Sequence, residues 1–393
     1  MRNLFYRYIA QTSSDPIGLK IDKADGVFLF SGNDRYLDLV SGVSVSNVGH
    51  CNKEIVDAVK DQVDNYFHLM VYGEIIQAPQ VLHAQLLCSL LPESLQSVYY
   101  LNSGSEANEA ALKLAKRLTG RRAMIGCINA YHGSTHGALS MMGNDFFKDA
   151  FSPLLPDVSF IRFNSLEDLS KITEDVACVI MEPVQGEGGV ILPKDGYLQA
   201  VREKCDKTGT ILIFDEVQTG FGRTGKMFAF QKFGVVPDII TFAKALGGGM
   251  PLGAMLTSQE RMSAWQSNPP LGHITTFGGH PVCCAAALAS LKLLLKEDWI
   301  ARVEEKSLKF ERALVNHPAI KEIRRAGLLI AVDLGSEEKS SKILNYLLEE
   351  KLLSDYFLFN PTSFRIAPPL CINDDEIDIA IDSIIRALDK LID

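Results

Sequence analysis

Seven short apolar segments alternate with stretches of helical periodicity through the middle of this 393-residue chain, and that alternation limits the fold more than any other feature. The segments are Val98 to Leu101, Ala123 to Gly126, Phe160 to Arg162, Cys178 to Met181, Ile211 to Phe214, Ile239 to Phe242 and Ala254 to Thr257. Runs this short, joined by helical crossovers, fit strands buried on both faces, so the spacing predicts an α/β domain on a mostly parallel seven-stranded sheet. The length exceeds what one core normally supports, and a smaller α+β domain is expected beside the large one. Past a helix near Val282 to Leu295 the pattern changes: Leu328 to Leu334, Phe357 to Phe359 and Phe364 to Ile366 read as strands. A last helix opens with an Asn373-x-x-Glu376 capping box and carries Ile377, Ile381, Ile384, Ile385 and Leu388 on one face. Before the large domain, Val27 to Phe30 and Tyr36 to Leu39 read as a hairpin, followed by helices around Glu54 to Phe67 and Pro79 to Leu91. The expected division is an N-terminal arm and hairpin over 1–45, a large domain over 46–295 and a C-terminal small domain over 296–393, with the arm part of the small domain.

Within that frame, the strand Ile239 to Phe242 runs into Lys244 and then Gly247-Gly248-Gly249. An ammonium at the end of a buried strand loses hydration, which lowers its pKa and frees the amine as a nucleophile toward a carbonyl. Most strand-end lysines simply extend to solvent, but glycines just beyond this one let backbone approach a bulky ligand. The strand Ile211 to Phe214 likewise ends in Asp215. Open α/β sheets bind ligands at strand carboxyl ends, so Asp215 and Lys244 are expected to face one crevice. A carboxylate beside a Schiff-base lysine has a specific use: it keeps a pyridine nitrogen protonated so that the ring absorbs the electrons of a carbanion. After Leu101, the turn Asn102-Ser103-Gly104-Ser105-Glu106 opens an alanine-rich helix, with Ser103 and Glu106 at capping-box spacing, and offers a phosphate site at the helix N-terminus. Gly220-Phe221-Gly222-Arg223-Thr224-Gly225-Lys226 imitates a nucleotide-binding loop, the basis of a distant alternative reading as a P-loop protein. Met227 stands where a P-loop needs a hydroxyl for magnesium.

A net charge of −9 and a pI near 5.5 argue against nucleic acid as a partner. No apolar run reaches the roughly 18 residues of a membrane span, and Met1 to Arg7 lacks a secretory core. Eight cysteines without a C-x-x-C pair suit neither a structural metal site nor a disulfide framework, and a cytoplasmic location is expected.

Taken together, Ser103 to Asn108, Tyr131-His132-Gly133, Glu182 to Gly189, Asp215 to Gly225, the Lys244 stretch and Thr275 to Gly279 resemble the class III (omega) aminotransferases, including the acetylornithine, ornithine and 4-aminobutyrate enzymes. The likeness covers nearly the whole chain. It implies the pyridoxal-phosphate-dependent transferase fold type I, pyridoxal 5'-phosphate as cofactor, no metal, a homodimer, and small-molecule amine and 2-oxo acid substrates. It also implies roles. Lys244 and Asp215 would be catalytic, Lys244 by joining the cofactor as a Schiff base and moving the proton, Asp215 by pairing with the ring nitrogen. Gly104 and Ser105 would hold the phosphate, Tyr131 and Val217 the two ring faces, Gln218 the ring oxygen, with His132 in the same cofactor-binding set. Thr276 would reach a neighbouring subunit's phosphate, and Arg365, paired with Glu187, would bind the substrate carboxylate near Val43. Ser134 stands where such enzymes usually carry an arginine for the distal carboxylate of glutamate, and Val43 where the ornithine enzymes carry a tyrosine. An aminomutase or a decarboxylating relative would use the same cofactor.

Overall fold

The computed structural model describes residues 1–392. Its central sheet has seven strands in the order Ser97–Leu101, Gly253–Thr257, Ile239–Phe242, Ile211–Asp215, Val176–Met181, Ala123–Cys127, Val158–Ile161. Five neighbours pair in parallel, from Ile239–Phe242 to Val158–Ile161. Gly253–Thr257 is antiparallel to both of its neighbours. The reason lies in its connection: between Phe242 and Gly253 the chain makes only a 3-10 turn, Lys244–Gly247, and then reverses through left-handed Gly248 and Gly249. No crossover helix fits there, so the next strand must return antiparallel.

Side-chain alternation assigns the two sheet faces. Ile180, Ile213 and Ile239 pack against Ala107, Ala110, Ala111 and Leu114 of the helix Gly104–Thr119, whereas Met181, Phe214, Ile240 and Phe242 join the core on the opposite side. With a period of two, Glu182, Asp215 and Thr241 fall on the Gly104–Thr119 side at neighbouring strand ends. That parity builds the site.

Two four-stranded sheets complete the chain. One runs antiparallel through Glu322–Arg325, Ile330–Asp333, Asn360–Ile366 and Tyr356–Phe357. The other joins the N-terminal strands Lys23–Asp25, Phe28–Ser31 and Asp34–Asp38 to Leu352–Leu353, which pairs in parallel with Leu37 and Asp38. The hairpin therefore needs no second chain to cover Leu37, which is buried within its own. The expected strand at Phe357 to Phe359 is shorter, since only Tyr356–Phe357 pairs, with a register shift between them. The final helix, Asp374–Asp389, has both arms of its capping box. Helices Trp299–Leu314 and Glu337–Glu349 go beyond the sequence reading; both are amphipathic, burying Val303 and Phe310 in one and Ile343 and Leu347 in the other. Among the described residues no helix is long and apolar enough to cross a membrane.

Candidate active site

A cavity of about 490 Å³ opens at the carboxyl ends of the central strands, lined among others by Ser103, Gly104, Ser105, Tyr131, His132, Glu182, Asp215, Val217, Gln218 and Lys244. Lys244 sits immediately past its strand with φ of +50°, a left-handed conformation that a non-glycine residue adopts only where the surroundings hold it. Burial pulls the lysine pKa below its ordinary value; Glu187 resists that shift and Arg365 adds to it.

Asp215 is fixed from three sides. Its Oδ2 accepts from Asn108 Nδ2 at 2.7 Å and lies 2.8 Å from His132 Nδ1, while Oδ1 accepts the Val217 amide at 3.0 Å. Asn108 is held by Thr241, whose hydroxyl donates to the amide oxygen at 2.7 Å, so Asn108 presents its NH₂ to the carboxylate and to the His132 carbonyl. Asn108 and Thr241 were not singled out from sequence. The missed signal is periodicity: Asn108 lies four residues, about one helical turn, beyond Gly104 on the helix that packs against Asp215's side of the sheet.

At the other end, Ser103 Oγ accepts the Glu106 amide at 3.2 Å and the Ser103 carbonyl accepts the Ala107 amide. The Gly104 and Ser105 N–H groups remain for a ligand. The expected capping box differs in its second arm: Glu106 Oε2 accepts from the Asn102 amide at 2.7 Å, one residue before Ser103, and from Asn102 Nδ2 at 2.9 Å. Gly104 is required by close approach, because a Cβ there would stand 2.9 Å from Val217 Cγ1. At Gly133 a Cβ would fall 2.0 Å from Ser105 Oγ.

Glu187 and Arg365 lie behind Gln218, out of the cavity's immediate lining. Arg365 Nη2 donates to Glu187 Oε1 at 2.9 Å and Oε2 at 3.0 Å, and its guanidinium lies 4.4 Å from the Phe357 ring centre. Gln218 Nε2 reaches Glu187 Oε1 at 3.5 Å, and Leu358 N donates to Oε2 at 3.2 Å. Burial opposes the charged form of Glu187, yet Arg365 and Lys244 outweigh it and bring the carboxyl below its ordinary value. Arg365 keeps Nε and Nη1 buried and without partners.

Two sequence-predicted residues stand apart from this cavity. Thr276 is exposed on a loop beside Phe277. Val43 is half-buried in a turn where Ser41, Gly42, Val43 and Ser44 all have left-handed φ, and it is Val45, two residues on, that lines the cavity. Glu182, also at the cavity wall, was quoted within a motif but given no role; the strand-end rule that found Asp215 finds it equally.

The Gly220–Lys226 stretch has no phosphate site. Arg223 turns inward and is fully buried, Lys226 is exposed, and the helix that follows is only Ala229–Phe233. Its first amides are occupied by a carboxylate already present, with Ala229 N and Phe230 N donating to Glu216 at 2.6 and 2.7 Å.

An anion seat, a carboxylate held for a ring nitrogen, an apolar floor at Val217 and a buried amine, spread round one cavity, fit pyridoxal phosphate. The family model described as "Aminotransferase class-III" matches residues 9–388, and the chain belongs to that family of pyridoxal-phosphate enzymes. It is 39% identical over 388 residues to an acetylornithine aminotransferase of Methanosarcina mazei, covering 97% of this chain and 94% of that one. It is 40% identical over 394 residues to an acetylornithine aminotransferase of Methanocaldococcus jannaschii, covering 96% and 93%. Among solved structures, an ornithine aminotransferase from Toxoplasma gondii superposes with a TM-score of 0.91 at 30% identity, covering 99% of this chain and 94% of that one. An (S)-enantioselective omega-transaminase from Thermomicrobium roseum gives 0.92 at 28% identity, with 100% and 98% covered. The chain is a pyridoxal-phosphate-dependent aminotransferase of fold type I.

Proposed function

We propose that the donor is an omega-amine of the acetylornithine, ornithine or 4-aminobutyrate type, N-acetylornithine first among them, and that a short 2-oxo acid accepts the amino group. The observation that carries this reading is the Glu187–Arg365 pair set one side chain behind the cavity that holds Lys244. With Glu187 in place, Arg365 is neutralised and an amine without a nearby carboxylate enters; a 2-oxo acid replaces Glu187 on the same guanidinium. The acetylornithine choice rests on the relatives at 39–40% identity and on Val43, aliphatic where the ornithine enzymes carry a tyrosine. No arginine is among the cavity-lining residues, and Ser134 Oγ lies 3.2 Å from the Tyr131 hydroxyl, which favours pyruvate or glyoxylate over 2-oxoglutarate.

The residues divide the chemistry. Gly104 and Ser105 amides would hold the phosphate, Val217 and Tyr131 would confine the ring, Gln218 would face its ring oxygen, and Asp215, aligned by His132 and Asn108, would pair with the ring nitrogen. Bound pyridoxal phosphate supplies a carbonyl for Lys244 and a ring that takes up the electron pair released at the substrate carbon. Lys244 Nζ, its basicity reduced by burial, takes the proton from the carbon bearing the amino group and returns it one step later. Thr276 serves the site of a second subunit. The homodimer rests on the apolar surface around that loop, where Phe67, Ile76 and Phe277 are 64%, 93% and 54% exposed and the His68 and Phe277 rings lie 4.9 Å apart. A cytoplasmic location rests on eight cysteines that stay free thiols.

The test is a panel of N-acetylornithine, ornithine and 4-aminobutyrate against pyruvate, glyoxylate and 2-oxoglutarate. Amino transfer from acetylornithine without release of carbon dioxide is expected, and carbon dioxide or an amine moved within one molecule would mark a decarboxylase or a mutase instead. Lys244→Ala is expected to lose turnover by about 10⁴-fold or more while the fold persists, and wild-type turnover would show that the nucleophile is misassigned.

A further inference from the structure

Three carboxylates gather at the deep end of the site, Asp215 and Glu182 on the cavity wall and Glu187 just behind it, and only two have an evident use. Asp215 is taken by His132, Asn108 and the Val217 amide, and Glu187 by Arg365. Glu182 is the third. It follows the strand Val176–Met181, and since Met181 pairs with Phe214 it stands level with Asp215 on the same face of the sheet. It is buried, and its Oε2 has no hydrogen-bond partner at all. The loop that carries Glu187 runs close beside it: Gly186 lies against Gln218, so near that a Cβ there would stand 1.9 Å from Gln218 Oε1. An ionised carboxylate with a bare, buried oxygen is among the most unfavourable arrangements in a protein interior, and a neutral acid is the form that relieves the buried charge.

We infer that Glu182 is held as a neutral carboxylic acid, its proton on Oε2, and that it acts as a positioning residue which forms the cavity wall beside Asp215 without adding a third negative charge around Lys244. The inference rests on the reading of Lys244 and Asp215 given above. The groups facing Glu182 agree. Burial is the largest influence holding its proton on, followed by Asp215 and Glu187; only Lys244 and the Gly186 amide act the other way. The Cys127 thiol, also close by, is itself pushed up by burial. The neutral form has a consequence for the chemistry. A charged Glu182 would stabilise the ammonium of Lys244 and make its free amine scarcer; a neutral one leaves that amine available while Glu187 keeps its charge opposite Arg365.

Infrared difference spectroscopy at neutral pH tests this on wild-type protein, Glu182→Gln and Glu182→Ala, each free of cofactor and loaded with pyridoxal phosphate. The wild type is expected to show the C=O band of a protonated carboxyl that both variants lack. In loaded protein, the pH midpoint of the visible absorbance should move by less than about 0.3 unit in Glu182→Gln, because no charge is removed; loss of a nearby carboxylate would lower it by about one unit or more. Turnover is expected to fall about tenfold in Glu182→Ala and to recover most of that in Glu182→Gln, which keeps a neutral hydrogen-bonding group of the same shape. Absence of the protonated-carboxyl band, or a midpoint lowered by a unit in Glu182→Gln, overturns the inference. The cofactor-free spectra decide the state of Glu182 on their own, so a failure of the donor and acceptor assignment would leave that result standing.

Discussion

Two arginines are buried to the same degree in this molecule, and their partners separate a structural clasp from a binding group. Arg223 is 0% exposed and Arg365 is 1% exposed. Arg223 Nη1 donates to the Leu328 carbonyl at 2.8 Å and the Pro368 carbonyl at 2.7 Å, and Nη2 donates to Asn47 Oδ1 at 2.5 Å. Neutral oxygens from three separate stretches thus close round one guanidinium, and burial lowers its pKa to about 9. Arg365 instead meets a carboxylate, with Nη2 shared between the two Glu187 oxygens and the Tyr356 carbonyl, while Nε and Nη1 stay open. Arg223 leaves only Nε without a partner, and both of its Nη atoms are held by neutral oxygens built into the fold, which a ligand does not displace. A guanidinium held by a single displaceable anion, with donors in reserve, is poised to exchange that anion for another.

The largest effect is expected at Arg365. Arg365→Ala removes the guanidinium that receives the acceptor carboxylate, a loss of about 4 kcal/mol, or roughly 10³-fold in the half-reaction with the 2-oxo acid. The omega-amine half-reaction, in which Arg365 touches no substrate, should suffer far less. Single-turnover rates for the two halves measure this, and equal losses would make Arg365 a clasp like Arg223. The converse change, Arg223→Met, should lower unfolding stability by about 3 kcal/mol through the carbonyls left unsatisfied, with the half-reaction rates of the folded protein little altered. Chemical denaturation beside those rates would reveal the error if activity fell and stability did not.

Glu187→Gln should be milder, about 2 kcal/mol or thirtyfold, and should fall mainly on the amine half-reaction, because the amide no longer neutralises Arg365 while the acceptor carboxylate still can. A greater loss with the 2-oxo acid would contradict the exchange. The smallest expected effect is on stability against pH. Glu187 in the fold lies below its ordinary value of 4.5, so its contribution is complete above that value and is lost only as pH falls through the lower folded value. In Arg365→Ala, burial acts with its main counterweight gone and raises the same carboxyl, so stability declines as pH rises from about 4.5 through the raised value. The stability gap between wild type and variant should therefore be wider at about pH 8 than at about pH 5, by about 1 kcal/mol. Thermal unfolding at the two pH values would show a constant gap if Glu187 were not the group responsible.

Much of this was legible along the chain, because strands, helix caps and strand-end acids are local events. Ile239 to Phe242 needed only its own apolar residues to be read as a buried strand, and Lys244 and Asp215 followed as the ionisable residues at neighbouring strand ends. Asn373 and Glu376 specified their capping box within four residues. The resemblance to class III aminotransferases, carried by ordered motifs, added the cofactor. Contacts spanning the chain were decided elsewhere. The Gly220–Lys226 glycines imitate a nucleotide-binding loop and Met227 speaks against one, but only the arrival of Leu328, Pro368 and Asn47 showed that Arg223 fills the space a phosphate would need. Asn108 joins Asp215 from 107 positions away, and Thr241 sets the direction of its amide. The reversed strand Gly253–Thr257 depends on a turn too tight for a helix, and Val45 rather than Val43 reaches the cavity because four successive left-handed residues redirect the chain. The sequence determined which groups could ionise and which segments were strand or helix, since those properties belong to residues and their near neighbours. Which donor met which acceptor, and hence which buried charge was left free to act, only the tertiary structure decided, because a hydrogen bond is satisfied by whatever the fold brings within about 3 Å.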